Sequence, residues 1–130
     1  MKNLIILLCL IVSLTACGQK EDIVQEPTLA GKWQLIKLVE IGAPVAGKVT
    51  TYDNEKTIVF KTNGNFTDIT FHCEGTYSVE NNKLNVSVPC SAADKNFQYK
   101  FSFENSETLL LTQIPFVCDE GCYYVFKKLK

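Results

Sequence analysis

Short segments that favour β-strands recur along the chain from Leu29 onward. They are rich in Val, Ile, Thr, Tyr and Phe, and turns that contain Asn, Gly, Asp or Ser separate them. The clearest segment is 96–104, in which every second residue is aromatic. Because successive side chains of a strand point to opposite faces, this alternation predicts a strand with one buried face. No segment keeps an apolar repeat at helical spacing for three turns, so the sequence predicts an all-β domain of about eight strands.

The best-defined turn is the pair Asn81-Asn82, which connects the predicted strands 76–80 and 83–88. Asparagine tolerates the positive φ that a two-residue hairpin turn requires. Continuing the register of this hairpin away from the turn places Cys73 directly across from Cys90.

A second predicted hairpin joins residues 56–61 to residues 65–71. Gly64 can take the left-handed position of a three-residue loop, which sets Phe60 opposite Phe66. Both rings are then expected to face the core.

The strand 65–71 carries a conflict between alternation and hydrophobicity. Strict alternation from Phe66 turns Asp68 inward, whereas Ile69 and Phe71 are the more apolar residues. We expect a β-bulge near Asp68, because one extra residue would bring Ile69 and Phe71 to the core face.

Two further segments are less regular. Residues 41–54 contain two glycines and a proline and are predicted to be the longest irregular stretch. Near the C-terminus we expect a last hairpin, in which strand 116–118 turns at 119–121 and returns as strand 122–129. Pro115 cannot donate to a strand ladder, so pairing is expected to break there.

The N-terminal residues combine a basic start with a short apolar run. Lys2 precedes an apolar run, 4–12, which is too short for the roughly 18 residues that cross a bilayer as a helix. The following Leu14-Thr15-Ala16-Cys17 resembles a lipobox, in which cleavage occurs before the cysteine and the cysteine is acylated. The alternative is an ordinary secretory signal in which Cys17 stands by chance.

The lipobox resemblance implies three parts and a location. Residues 1–16 are the expected signal peptide, 17–28 a lipidated cysteine with a flexible tether, and 29–130 one domain. Gly18, in place of the Asp that often retains lipoproteins at the inner membrane, favours a lipid anchor in the outer membrane. The run 20–22 resembles an acidic export tag but also suits a plain polar tether, so the periplasmic face and the cell surface both stay open.

Export also sorts the six cysteines. Cys9 leaves with the signal peptide and Cys17 carries lipid, which leaves four in an oxidising compartment. Of their three pairings, the hairpin register favours Cys73 with Cys90, and the short 119–121 loop favours Cys118 with Cys122. Opposed residues lie about 4.5 to 5.5 Å apart at Cα, within the range for disulfides.

The charged residues exclude one class of partner. All 13 basic residues are lysines, and 14 acidic residues balance them. Because a nucleic-acid binder needs a basic stripe and preferably arginine, we expect no nucleic-acid partner.

The sequence also lacks a recognisable catalytic or metal-binding motif. His72 is the only histidine, and its neighbour Cys73 would point to the opposite face of a strand, so zinc ligands would not converge. Asp68 and Glu74 flank His72, but a solvated polar face explains this cluster. We therefore expect no enzyme activity, no cofactor and no metal.

Several short motifs are spread along residues 29–130. Gly31-Lys32-Trp33 is similar to the G-x-W signature that opens lipocalin-like domains. The segments that resemble the rest of the pattern are 60–66, 75–77, 82–84, 108–111 and 124–128. Together these motifs resemble small bacterial lipocalin-like lipoproteins, and this resemblance implies an antiparallel up-and-down β-barrel. Residues 73–84 also resemble the META-type lipoprotein domain, a weaker match.

One departure from the lipocalin pattern concerns Trp33. Lipocalins often place a late arginine over this tryptophan, and the chain has no arginine. Lys127 or Lys128 is expected to replace it, although an ammonium group cannot stack as a planar guanidinium does.

The resemblance leaves two interpretations of the barrel interior. In the first, inward aromatic residues form a pocket for a small hydrophobic ligand; these are Trp33, Tyr77, Tyr99, Phe101 and Phe126. In the second, the same side chains fill the core, because an eight-stranded barrel is just wide enough for its own side chains. Both interpretations predict a monomer that binds without catalysis. The alternative function is a protein-interaction or inhibitor role through exposed loops.

Overall fold

The computed structural model describes residues 28–42, 47–53, 56–90 and 95–130, and within these residues it contains nine strands. The signal peptide, Cys17 and the tether as far as residue 27 lie outside the described residues. No helix in the described ranges is long and apolar enough to cross a membrane. The strands are β1 (Gly31–Glu40), β2 (Val49–Thr51), β3 (Thr57–Phe60), β4 (Asn65–Asp68), β5 (Cys73–Glu80), β6 (Lys83–Ser87), β7 (Asn96–Asn105), β8 (Thr108–Ile114) and β9 (Cys122–Leu129).

The sheet closes on itself, and every pairing is antiparallel. Its order is β2-β1-β3-β4-β5-β6-β7-β8-β9, and β1 also pairs with β9. The closing ladder runs from Lys32 opposite Leu129 to Glu40 opposite Cys122, with one irregularity between Leu35 and Lys37. The predicted antiparallel up-and-down barrel is confirmed.

Strands β2 and β3 share one edge of β1, so the barrel has eight strand positions. Between them, the Leu35 amide donates to the Lys56 carbonyl at 2.8 Å, which continues the pairing across the gap. Strand β2 falls inside the stretch 41–54 that was predicted to be irregular, and that part of the prediction is wrong. Residues 49–51 form a strand because they pair with the edge of β1, and their own sequence pattern does not indicate a strand.

Turn residues set the register of the central hairpins as predicted. In β5–β6, Glu80 lies opposite Lys83, and Asn81 and Asn82 both have positive φ. In β3–β4, Phe60 lies opposite Phe66, with ring centroids 5.3 Å apart.

Two disulfides are present, in the pairing that the sequence favours. Cys73 bonds Cys90 with a Cα–Cα distance of 5.8 Å, and Cys118 bonds Cys122 with a Cα–Cα distance of 5.7 Å. The β5–β6 ladder ends before Cys73 and Cys90, so the first bridge extends the hairpin beyond its hydrogen bonds. Loop-closure entropy gives stabilisations of about 3 and about 2 kcal/mol for the longer and shorter loops.

The predicted bulge near Asp68 is absent, and this prediction is wrong. Strand β4 ends at Asp68, whose Oδ1 accepts hydrogen bonds from the amides of Thr70 and Phe71 at 3.0 and 3.2 Å. An aspartate that captures its own downstream amides starts a turn instead of continuing a strand. Asp68 is therefore buried, while Ile69 and Phe71 are exposed by 38% and 72%.

The predicted strand 116–118 is also absent. Strand β8 ends at Ile114, immediately before Pro115, and pairs directly with β9 through contacts such as Leu109 opposite Phe126. Residues 115–121 form the connection, in which the Gly121 amide donates to the Cys118 carbonyl at 3.2 Å.

One end of the barrel, here called the closed end, is built around Trp33. This residue is fully buried, its indole Nε1 donates to the Leu29 carbonyl at 2.7 Å, and its ring lies 6.1 Å from that of Phe103. Lys128 places its Nζ 5.2 Å from the Trp33 ring centroid, so the predicted replacement of the arginine is confirmed. Gly31 makes this possible, because a Cβ there would lie 2.8 Å from Cε of Lys128.

Lys128→Met should lower the free energy of unfolding by about 0.5 to 2 kcal/mol, because it keeps the aliphatic stem and removes the cation–π contact. The matched control is Lys127→Met, since Lys127 is exposed on the neighbouring position of β9. Urea denaturation of both variants measures the difference. Equal stability of the two variants would contradict a stabilising role for Lys128.

Candidate functional site

A cavity of about 620 Å³ occupies the half of the barrel opposite Trp33. This volume is typical of small-molecule sites in proteins. Its wall is largely apolar and includes these residues: Leu35, Ile58, Phe60, Phe66, Phe71, Cys73, Val86, Val88, Cys90, Phe97, Leu111 and Phe126, with Lys56, Asp68, Tyr99, Gln113 and Tyr124 as the polar members. The interior is therefore not filled by the side chains that the structure describes.

The cavity arises from a difference between the two halves of the barrel. At the closed end, Trp33, Leu84 and Leu109 are fully buried and fill the space. In the other half, the inward side chains include the shorter Cys73 and Asp68 beside several aromatic rings. Shorter side chains leave unoccupied volume because the backbone spacing of the barrel is fixed by its strand number.

Described residues of three connections lie at the end of the barrel opposite Trp33, here called the mouth: 41–42 and 47–48 after β1, 69–72 between β4 and β5, and 115–121 between β8 and β9. Phe71 of the second connection lines the cavity. Of the seven exposed large apolar residues in the described ranges, six lie in or beside these connections. They are Ile41, Val49, Ile69, Phe71, Phe116 and Val117. Both disulfides lie at this end as well, with Cys73–Cys90 in the cavity wall.

Of the five aromatic residues predicted to bind a ligand, the structure brings Tyr99 and Phe126 to the cavity. Trp33, Tyr77 and Phe101 are not among the lining residues. Tyr77 packs edge-on against Phe60 at 4.9 Å and donates its hydroxyl to the Lys61 carbonyl at 2.7 Å. Phe101 packs against Phe103 at 6.0 Å. The strand pattern predicts that Trp33, Tyr77 and Phe101 point inward. It does not predict their position along the barrel axis, which decides whether they reach the cavity.

Sequence reasoning missed the other polar members of the wall, which are Lys56, Asp68, Gln113 and Tyr124. Among the described residues Asp68 is the buried charged one, and its Oδ2 lies 3.7 Å from Nζ of Lys56. The same Nζ lies 6.0 Å from the centroid of the Phe71 ring, which holds the lysine beside the mouth. Strict alternation from Phe66 correctly indicates that Asp68 points inward. The prediction of a bulge was wrong because it set this alternation aside.

Two tyrosine hydroxyls belong to this polar group. Burial raises the pKa of Tyr99 to about 12, and the neighbouring Tyr124 and Asp68 add to the shift. Burial also raises the pKa of Tyr124, with a further contribution from Tyr52. No hydrogen bond joins the Tyr99 or Tyr124 hydroxyl to another described residue.

The residues considered for metal binding are not arranged as ligands. His72 is exposed in the 69–72 turn with φ at 51°, and Cys73 is held in a disulfide. Within the described residues, no group of three or more His, Cys, Asp or Glu side chains is close enough to hold a metal ion.

Comparison with known proteins identifies the family of this barrel. A family model of the lipocalin-like domain matches residues 29–110. The chain belongs to the lipocalin-like domain family.

One solved structure agrees with this assignment at the level of the fold. A lipocalin-like protein from Bacteroides uniformis ATCC 8492 superposes with a TM-score of 0.57 at 21% identity, covering 78% of this chain and 98% of its own. An uncharacterized protein from Bacteroides eggerthii DSM 20697 gives a TM-score of 0.44 at 14% identity, covering 78% of this chain and 100% of its own. No curated protein matches.

Membership of the lipocalin-like family accounts for the barrel architecture. The G-x-W signature of this lipocalin-like domain, Gly31 to Trp33, lies at the closed end and does not line the cavity. Trp33 of this motif packs against Phe103 and Lys128 at the closed end.

The raised pKa of Tyr99 predicts a pH dependence of stability. Its native pKa, about 12, exceeds the ordinary value of 10.0, so its contribution to stability is fully present below pH 10 and is lost as pH rises through 12. Tyr99→Phe removes this contribution. Between pH 10 and 12, urea denaturation should show the free energy of unfolding falling by about 1 to 2 kcal/mol less for the variant than for the wild type. Parallel declines would contradict the assignment of this shift to Tyr99.

Proposed function

We propose that this protein is a non-catalytic binding lipoprotein that holds a small hydrophobic molecule in its barrel cavity. The observation that carries this proposal is the cavity of about 620 Å³ with a mostly apolar wall. Each methylene group that moves from water into such a wall contributes about 0.8 kcal/mol. A ligand with an alkyl or ring system of moderate size therefore gains enough free energy to bind without a covalent or metal contact.

The character of the wall supports binding in preference to catalysis. Asp68 has its Oδ1 occupied by two backbone amides, and Lys56 lies beside the mouth with its side chain 42% exposed. A catalytic pair would need a nucleophile or base aimed at a bound substrate. Here the polar groups border an apolar space, an arrangement that orients a ligand.

A second candidate is a protein-interaction role through the mouth loops. Exposed Ile41, Phe116 and Val117 favour it, since apolar side chains grouped at one end of a domain commonly mark contact surfaces. The expected presenting segments are residues 41–54 and the tip 119–121, with residues 43–46 and 54 lying outside the described ranges. An envelope or extracellular protein is the partner class in this case.

Attachment to the outer membrane through Cys17 is part of the same proposal. Its support is the lipobox-like Leu14-Thr15-Ala16-Cys17 and the polar residues that follow. Several acyl chains would hold the protein stably, whereas a single chain binds membranes only marginally.

Ligand binding can be tested with N-phenyl-1-naphthylamine, an uncharged dye whose fluorescence increases in apolar surroundings. We expect a saturable increase at one site per chain. Val88→Phe should weaken binding at least about threefold, because Val88 lines the cavity and the larger ring occupies its volume. The matched control Val79→Phe should bind like the wild type, since Val79 is exposed on β5 and does not line the cavity.

Circular dichroism and the urea midpoint of both variants check that each one is folded. No saturable dye signal from the wild type, or equal weakening in the two variants, would contradict ligand binding in the cavity. A mouth-dependent protein partner, lost on substitution of Glu120, would then favour the second candidate.

Anchoring can be tested in a Gram-negative host. Cys17→Ser should move the protein from the membrane fraction to the soluble fraction, whereas Cys9→Ser should leave it with the membranes, because Cys9 lies inside the predicted signal peptide. Equal membrane association of wild type and Cys17→Ser would contradict lipidation. Protease treatment of intact cells then separates the cell surface from the periplasmic face.

A further inference from the structure

Three polar side chains, Tyr99, Tyr124 and Asp68, are set in the largely apolar wall of the same cavity. Both Tyr124 and Asp68 add to the rise in the pKa of Tyr99. A ligand in the apolar part of the cavity therefore meets two hydroxyl groups and one carboxylate in the surrounding wall.

The two hydroxyls are available to a ligand. Neither one makes a hydrogen bond to another residue in the part of the chain that the structure describes. A ligand that covers these hydroxyls removes them from water, and this costs free energy unless the ligand supplies a hydrogen bond in return. A phenol donates to a carbonyl, ether or hydroxyl oxygen and accepts from a hydroxyl.

The charges in this region are unequally screened. The Asp68 side chain is 8% exposed, whereas that of Lys56 is 42% exposed. Their closest approach, 3.7 Å, is longer than a hydrogen bond, so they interact without a direct bond. The carboxylate is thus the more buried of the two charges, so a ligand anion beside Asp68 meets less screening by water than one beside Lys56.

Burial around Tyr99 also disfavours a negative charge. Burial and the neighbouring groups raise its pKa to about 12, which means that a negative charge at this position is disfavoured. A carboxylate group of a ligand placed beside Tyr99 would meet the same burial and the same neighbours.

We propose that the cavity selects an uncharged amphipathic ligand, whose hydroxyl or carbonyl group pairs with Tyr99 and Tyr124 and whose apolar part fills the remaining space. This inference rests on the proposed ligand-binding function. In the alternative hypothesis, Lys56 binds the carboxylate of an anionic ligand, and the cavity would then prefer carboxylates to uncharged ligands.

Competition between 1-decanol and decanoate at pH 7.5 tests the proposal, with both displacing N-phenyl-1-naphthylamine. These ligands share one chain length and differ in the charge of the head group. We expect decanol to bind at least about fivefold more tightly. Decanoate that binds as tightly or more tightly, or a bound dye that neither ligand displaces, would overturn the inference. Failure of the dye itself to bind would instead overturn the proposed function.

Variants separate specific selection from the general cost of desolvating a carboxylate. Asp68→Asn keeps the Oδ1 acceptor of the turn and removes the charge, so it should tighten decanoate binding about threefold to tenfold and leave decanol unchanged. Glu74→Gln is the matched control, because Glu74 is exposed on β5 outside the cavity wall. A decanoate affinity that Asp68→Asn does not change would overturn the role of this carboxylate.

Variants that remove one tyrosine hydroxyl each test the proposed hydrogen bonds to the ligand. Tyr99→Phe and Tyr124→Phe should each weaken decanol binding about threefold to tenfold, the value of one hydrogen bond. Tyr123→Phe should leave it unchanged, because Tyr123 is the adjacent residue of β9 and does not line the cavity. Equal decanol affinity in all three variants would overturn the proposed pairing.

Discussion

Pairing between β1 and β9 decides whether this molecule has an interior at all. Strand β1 pairs along one edge with β9 and along the other with β3 and then β2, so it has partners over almost its whole length. Without the β1–β9 ladder, both strands would present unpaired amides and carbonyls, and the inward side chains would face water. Closure turns residues such as Leu35 and Phe126 from one face of a sheet into the wall of an enclosed space.

The two ends of the barrel are stabilised by different means. The closed end depends on dense packing around Trp33, where Leu84 and Leu109 are fully buried. The open half lacks that packing, because an unfilled cavity forfeits the dispersion contacts that side chains would make. Both disulfides lie in the open half, where covalent links hold the β5–β6 hairpin and the β8–β9 connection. Cross-linking thus stabilises the part of the barrel that the cavity leaves underpacked.

Much of the architecture could be predicted from local chemistry, and the errors have physical causes. The two-residue turn Asn81-Asn82 fixes the register of the β5–β6 hairpin. The alternating aromatic residues of β7 indicate which of its faces points inward. Asp68 was misjudged because hydrophobicity favoured Ile69, whereas the bonds from Asp68 to two backbone amides ended the strand first. The cavity wall was only partly predictable: a strand pattern gives the direction of a side chain, but its height depends on the stagger of all eight strand positions.

The point at which the chain enters the barrel has a geometric consequence. Thr28 and Leu29 join the domain below Trp33, and the mouth loops lie at the opposite pole. The proposed anchor, Cys17, precedes the residues that enter the barrel at the Trp33 end. The proposed anchor and the cavity are therefore connected to opposite ends of the domain. A ligand that fills the cavity would not have to pass the packed residues around Trp33.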